Sequence, residues 1–313
     1  MELRQLQYAL MIAQEKNFSR AAKKLHLAQP SLSQQMMKLE KELGLQLFER
    51  RPGDLQLTYA GERFVDQASK IIDQVEQLKQ EMMDVAQNQR GQLIIGSLPI
   101  TGAHLLPPAL QQFQQDFPGI ELVLVEETTS ELESLTAKGQ TDVSLLSLPL
   151  HEEGLAYTPI LEEEILLAVP PQHAFASLQN VSLRNCKDEA FIVLKRGQGF
   201  REITYRLCQE AGYEPRVVFE TTNIETVQSL VASGMGVGLI PKMVTRTGNS
   251  SYVPVYLPIG DIRPHRTLVI AYKKGRYLSK AAEHFIILMK RIVSKETYLR
   301  STFLPSSSLL DQI

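Results

Sequence analysis

Between Asn17 and Thr58 the chain reads NFSRAAKKLHLAQPSLSQQMMKLEKELGLQLFERRPGDLQLT, and its polar residues are spaced to touch nucleic acid. Pro30 fits the opening turn of a helix, where a missing N–H costs nothing. In that helix Leu32, Met36, Leu39 and Leu43 form one apolar stripe. At about 100° per residue the opposite face carries Pro30, Ser31, Gln34, Met37, Lys38 and Lys41, with Glu40 and Glu42 nearby. Amides and hydroxyls for base edges, with cations for phosphates, are what a groove-facing helix needs. An ordinary helical hairpin with a solvated face is the plain alternative.

The elements that must position this face favour the DNA reading. A preceding short helix is expected from apolar Phe18, Ala21, Ala22 and Leu25, with Ser19 as its cap, and His26 to Gln29 reads as a tight connection. Leu47–Arg50 and Leu55–Thr58 read as short strands around a turn at Pro52–Gly53–Asp54, which puts Arg50 and Arg51 near a wing tip within reach of phosphates or a minor groove. The first 60 residues hold 9 Lys/Arg against 6 Asp/Glu, in a chain whose formal charge is −2. The basic footprint is therefore local to this end.

The opening MELRQLQYALMIAQEKNFSRAAKKLHLAQPSLSQQMMKLEKELGLQLFERRPGDLQLTYAGERF resembles the N-terminal domain of the LysR-type transcriptional regulators almost element by element. The string AA-x-x-L-x-x-AQPSLSQQ-x-x-x-LE-x-x-LG-x-x-LFER…LT-x-AG is long and specific, and a looser resemblance covers nearly the whole chain. Ala28 departs from the hydroxyl residue that many members place before the recognition helix, which removes a helix cap. The resemblance implies a winged helix-turn-helix in which Gln29 and Ser33, beside Gln34, address the groove. Pro30 shapes the helix entry, and Ser31 joins the contact set. Lys38, Arg50 and Arg51 hold phosphates.

Bulk properties agree. A chain of 313 residues is long enough for a small domain and a larger one. No run approaches the roughly 18 apolar residues of a membrane span, and the N-terminus opens on an amphipathic helix (Leu3, Leu6, Leu10, Ala13) rather than a signal peptide. Two cysteines, Cys186 and Cys208, fit buried small residues better than a disulfide framework or thiolate cluster. These features point to the cytoplasm.

After the wing, a helix from Ala60 to about Asn88 carries Phe64, Ala68, Ile71, Val75, Leu78, Met82 and Val85 at gaps of 4, 3, 4, 3, 4 and 3. Such a heptad seam suits pairing with a second subunit. A dimer would place its two recognition helices about 34 Å apart, on successive major grooves. The resemblance implies the same dimerisation element, a homotetramer built as a dimer of dimers, and RNA polymerase as a further partner beside double-stranded operator DNA.

From Gly91 strands alternate with helices, the pattern of an α/β domain with a parallel sheet. Strands are expected at Gln92–Gly96, Ile120–Val125 and Asp142–Leu146, with helices at Leu105–Asp116 and Glu131–Lys138 between them. A second set comprises Ile165–Val169, Ala190–Leu194, Arg216–Glu220 and Val237–Ile240, with helices Phe200–Ala211 and Ile224–Ser233; Leu268–Tyr272 and a helix from Leu278 to about Val293 close the domain. The organisation expected is a winged domain (1–58), a linker helix (59–90) and an effector domain (91–300). By resemblance the last has two lobes of the type II periplasmic-binding-protein kind, lobe 1 being 91–161 with 268–300 and lobe 2 being 162–267. A disordered tail is expected at 301–313.

Ligands of open parallel sheets sit beyond the carboxyl ends of the strands. Three connections there suit a small anion: Gly96–Ser97–Leu98–Pro99, the helix-opening Thr128–Thr129–Ser130, and Gly197–Gln198–Gly199–Phe200–Arg201, with Arg201 as counter-charge. Plain helix capping is the alternative for each. Their convergence follows from the resemblance, whose inducer pocket lies between the lobes at positions matching Ser97 and Ser130. The candidate set is Ser97, Pro99, Thr101, Thr129, Ser130, Gly199, Phe200, Arg201 and Asn223, for a small metabolite bearing a carboxylate. The run Gly234–Met235–Gly236–Val237–Gly238 has the wrong order for a dinucleotide fingerprint and reads as a helix C-cap. The six histidines lack metal-ligand spacing, no nucleophile motif supports an enzyme, and no cofactor is expected. Two readings remain, a ligand-responsive transcription factor and a sensing module that binds no operator, and the AQPSLSQQ helix with the wing arginines favours the first.

Overall fold

The computed structural model describes residues 1–51, 54–85, 91–246, 252–262 and 264–302. The chain divides into two compact units, Met1–Asn88 and Gln89–Ile313.

The first unit is built from α1 (Leu3–Glu15), α2 (Phe18–Lys24), α3 (Gln29–Leu43), a hairpin of β1 (Phe48–Arg51) and β2 (Asp54–Leu57), and the long α4 (Tyr59–Val85). Its core joins Ala9, Ile12, Ala21, Ala22, Leu32, Met36, Leu39, Leu47 and Phe48. Asn17, not Ser19, caps α2, its Oδ1 accepting the Arg20 N–H at 3.0 Å. Ala28 supplies no side-chain cap to α3. Leu43 is 36% exposed, because α3 ends at left-handed Gly44, beyond its last core contact at Leu39. The Glu40 carboxylate accepts the N–H groups of Leu47 (2.7 Å) and Phe48 (3.2 Å), tying the recognition helix to the wing.

The second unit carries β3 (Gly91–Ser97), α5 (Pro99–Asp116), β4 (Ile120–Glu126), α6 (Thr129–Ala137), β5 (Val143–Ser147), β6 (Leu155–Val169), β7 (Ala190–Leu194), α7 (Gly199–Glu210), β8 (Arg216–Thr221), α8 (Ile224–Ala232), β9 (Gly238–Pro241), β10 (Val255–Pro258), β11 (His265–Lys273) and α9 (Lys280–Thr302). One sheet runs β4-β3-β5-β11-β6, with β3, β4 and β5 parallel. Leu155–Glu164 of β6 pair with β11, whereas Ile165–Val169 pair with β9 and β10. The parallel pair β7-β8 joins β9 through a bridge from Phe191 to Val237. A single strand thus runs through both lobes of a mixed α/β domain. No helix among the described residues is long and apolar enough to cross a membrane.

Several expectations need correction. β6 has 15 residues rather than the five of Ile165–Val169, and β10 went unread in the sequence. α5 begins at Pro99, not Leu105, and continues through Pro107 and Pro108. The last helix reaches Thr302, into the expected tail; residues 303–313 lie outside the described residues, as do Pro52 and Gly53 of the wing turn.

The Thr58–Gly61 corner fixes how α4 leaves the wing. Thr58 Oγ1 donates to the Gln46 carbonyl at 2.6 Å and accepts the Gly61 N–H at 2.9 Å. A Cβ on Gly61 would lie 2.0 Å from the Leu47 carbonyl oxygen. Alanine normally favours a helix over glycine by roughly 0.5–1 kcal/mol, yet here backbone must move. Gly61→Ala is expected to destabilise this unit by about 1–3 kcal/mol, read as a lower thermal midpoint; a raised midpoint would contradict the close approach.

Candidate DNA-binding surface and effector cleft

Gln29, Pro30, Ser31, Gln34 and Lys38 are all exposed along α3, and Lys38 makes no ion pair among the described residues. Ser33 is different, at 7% exposure. It lies roughly 60° around the helix from Met36 and so sits at the edge of the packed face. Ser33 therefore stands at the border between the packed face and the open one. On β1, Arg50 and Arg51 pair in register with Leu55 and Asp54 at the turn end of the hairpin, and their side chains lie outside the described residues. The open face of α3 presents amides, a hydroxyl and a cation, the set required for base edges and phosphates.

Along α4 the expected seam divides. Phe64 packs on the core of its own unit and Ala68 is buried, whereas Ile71, Leu78 and Met82 are 39%, 58% and 50% exposed. Val75 is half-buried, and the side chain of Val85 lies outside the described residues.

In the second unit a cavity of about 410 Å³ opens between the lobes, walled by Pro99, Ile100, Thr101, Thr129, Gly199, Phe200, Asn223 and Arg266 among others. Four helices, α5, α6, α7 and α8, begin at its wall, two from each lobe. The N–H groups of Ile100, Thr101, Thr129, Phe200 and Ile224 make no hydrogen bond among the described residues. Unpaired helix-start N–H groups and aligned dipoles favour negative charge. Thr128 and Asn223 act as caps as well, accepting the N–H groups of Glu131 (3.4 Å) and Glu225 (2.8 Å). Thr129 Oγ1 accepts the Gly199 N–H at 2.9 Å, a direct bond from α6 to α7. A Cβ at Gly199 would crowd that threonine, 3.0 Å from its Oγ1.

Three expected effector residues stand elsewhere. Ser97 is fully buried, its Oγ donating to the Leu98 carbonyl at 3.1 Å and lying 2.2 Å from where a Gly102 Cβ would sit. The first turn of α5 covers it. Ser130 faces a smaller neighbouring cavity, with its Oγ 3.4 Å from Thr128 Oγ1. Arg201 is engaged by the Leu194 carbonyl and Glu220, each at 2.7 Å, and by the Tyr205 hydroxyl at 2.9 Å. Its charge is already engaged inside lobe 2, away from the cavity wall.

The cation in the wall is Arg266, which sequence reasoning missed. It is paired with Glu163 at 2.6 Å, both side chains being 4% exposed, and its guanidinium lies 5.6 Å from the Phe200 ring centroid. Glu163 also accepts the Met243 N–H at 2.6 Å. The partners are 103 residues apart, and no local pattern announces them.

Both cysteines are buried. Burial pushes the Cys186 thiol up to about 12, with Glu189 adding to the shift, and pushes the Cys208 thiol up to about 11. Among the described residues no group of three or more His, Cys, Asp or Glu could hold a metal ion.

An open recognition helix on a winged unit, joined in one chain to a two-lobed domain with a ligand-sized cleft, defines a class: DNA-binding regulators that respond to a small molecule. The family profile described as "Bacterial regulatory helix-turn-helix protein, lysR family" matches residues 3–62, and "LysR substrate binding domain" matches residues 86–293. HTH-type transcriptional regulator YcgK of Bacillus subtilis is 41% identical over 95% of this chain and 96% of its own. The DNA-binding transcriptional dual regulator OxyR of Escherichia coli is 33% identical over 90% and 93%. A full-length OxyR variant from Pseudomonas aeruginosa superimposes with a TM-score of 0.73 at 28% identity, covering 94% of each chain. The chain belongs to the LysR family of transcriptional regulators, which is not an enzyme class.

The thiols give a direct test of the buried environment. Their ionisation, ordinarily at 9.0, is raised in the folded state, so their contribution to stability is intact below pH 9 and is lost as pH climbs from 9 toward about 12. Native protein at pH 8 is expected to react with a thiol reagent at least about tenfold more slowly than the unfolded chain. Equal rates would show that these sites are open.

Proposed function

We propose that this regulator binds operator DNA as a homodimer paired through the exposed seam of α4, two dimers forming a tetramer, and that a small anionic metabolite in the interlobe cavity resets the spacing of its winged units. As a chromosome-binding protein it works in the cytoplasm. The observation that carries the ligand reading is the convergence of four helix N-termini and Arg266 on one cavity. Because the wall comes from both lobes, a ligand there bonds most fully when they are closed. That difference in affinity between states is what a ligand needs to shift an equilibrium. Pro99, Thr101, Thr129, Gly199, Phe200 and Asn223 remain the ligand set, joined by Arg266; Ser97 and Arg201 support the wall from behind.

On the DNA side, Gln29 and Gln34 address base edges, Pro30 and Ser31 set the helix entry, and Lys38, Arg50 and Arg51 hold phosphates. RNA polymerase is the partner through which a DNA-bound tetramer would act on transcription. Several relatives are named hydrogen peroxide-inducible genes activators. Buried thiols held protonated do not support a peroxide-reactive cysteine in this chain.

Two measurements test this reading. A thermal-shift screen of the full chain against carboxylic acids, neutral compounds and cations is expected to find a carboxylic acid adding about 2.7 kcal/mol of stability at 100 times its dissociation constant. Stabilisation by neutral or cationic compounds alone would overturn the anion assignment. Lys38→Ala is expected to weaken binding to all DNA sequences alike and to flatten the dependence of log K on log salt by about one unit. A changed base preference with an unchanged salt slope would contradict the phosphate role.

A further inference from the structure

Beside the main cavity lies a second one of about 260 Å³, and the two share Thr129, Ser147 and Gly199 in their walls. The two cavities adjoin at these residues, where Thr129 and Gly199 are bonded to each other. Their electrostatics are opposed. The main cavity gathers helix N-termini and a guanidinium, although Glu126 and Glu127 stand at its wall. The annexe is walled by Glu133, Glu152 and Glu202 and by no Lys or Arg. Its histidine, His151, holds Glu202 at 2.8 Å.

Glu133 is the informative member. It is 2% exposed. Its Oε2 accepts the N–H groups of His151 and Glu152, each at 2.8 Å, whereas its Oε1 is buried without any hydrogen-bond partner. A buried carboxylate oxygen left unpaired carries a desolvation cost that a cationic donor would remove. The described residues offer no group of donors suited to a metal ion, so an organic cation fits this environment better.

We infer that the effector also carries a protonated amine, which enters the annexe between Glu133 and Ser130 while its carboxylate lies among the helix N-termini. The ligand class is thus a zwitterionic, amino-acid-like metabolite. This rests on the anion-binding reading of the main cavity, which it refines.

The test is calorimetric titration of the full-length protein with α- and ω-amino acids of four to six carbons, each beside the unsubstituted acid of the same length. The best amino acid is expected to bind about tenfold or more tighter than its unsubstituted partner, the scale of one charge-assisted hydrogen bond. Glu133→Gln, checked for folding by circular dichroism, is expected to bring that ratio close to one. Glu202→Gln, at an exposed position, is expected to lower it less and decides the matter should the buried variant not fold. If every unsubstituted acid binds as well as its amine, or if the ratio survives the substitutions, the amine subsite falls and the anion site stands. If no acid of either kind binds at millimolar concentration, both readings fall.

Discussion

Glu163 and Arg266 face each other where β6 leaves one sheet for the other, and both are almost wholly removed from water. Two charges in such a place are stable only when each is fully bonded, and removing either partner of a buried pair costs about 3–5 kcal/mol. Here the carboxylate is held by the guanidinium and by the Met243 N–H, which leads the chain from β9 into the turn beyond it. The pair therefore ties together the strand crossover, a segment of the second lobe and the wall of the cavity. A cation fixed in this way needs no rearrangement to meet an anion. Its charge is already balanced when the cavity is empty, so helix N-termini must supply much of any net attraction.

Those helix starts do two things at once. Thr128 and Asn223 satisfy N–H groups of their own helices, while other residues of the same helix starts line the cavity. Capping and ligand recognition are therefore complementary here, since a capped helix holds its free donors in fixed directions. Thr129 adds a bond across the cleft to Gly199, where a Cβ would press on the threonine side chain. Thr129 and Gly199, which bond across the cleft, also line its cavity.

In the winged unit the corresponding constraint is the junction of recognition helix, wing and α4. Glu40 bonds the backbone at the start of β1, Thr58 bonds the Gln46 carbonyl just ahead of β1, and Gly61 lies against the Leu47 carbonyl. Three residues of the family-like string thus hold the chain where it turns, and none of them is on the open face of α3. The motif is as much about placing the helix as about touching DNA. Beyond the wing, α4 leaves its first turns on the core and carries Ile71, Leu78 and Met82 into the open.

Periodicity and local chemistry were enough to read α3, the wing strands, the long seam helix, and the alternation that makes the second unit α/β. These depend on residues within a few positions of one another, where side-chain spacing directly sets the face presented. The reading failed where partners are distant. The run Glu162–Glu163–Glu164 lies in the middle of a 15-residue strand, where Glu163 is buried on Arg266 while Glu164 pairs with Lys242 nearer the surface. Arg201 looked available because nothing nearby in sequence announces Glu220 as its partner. Ser97 carries a hydroxyl at the right strand end, but the first turn of α5 closes over it. The sequence by itself determined the family, the α/β character of the second unit and the polar face of α3, because those are written in local patterns. Only the tertiary structure decided which charges are already neutralised and which donors remain open, because desolvation and pairing are set by residues that folding brings together from far along the chain.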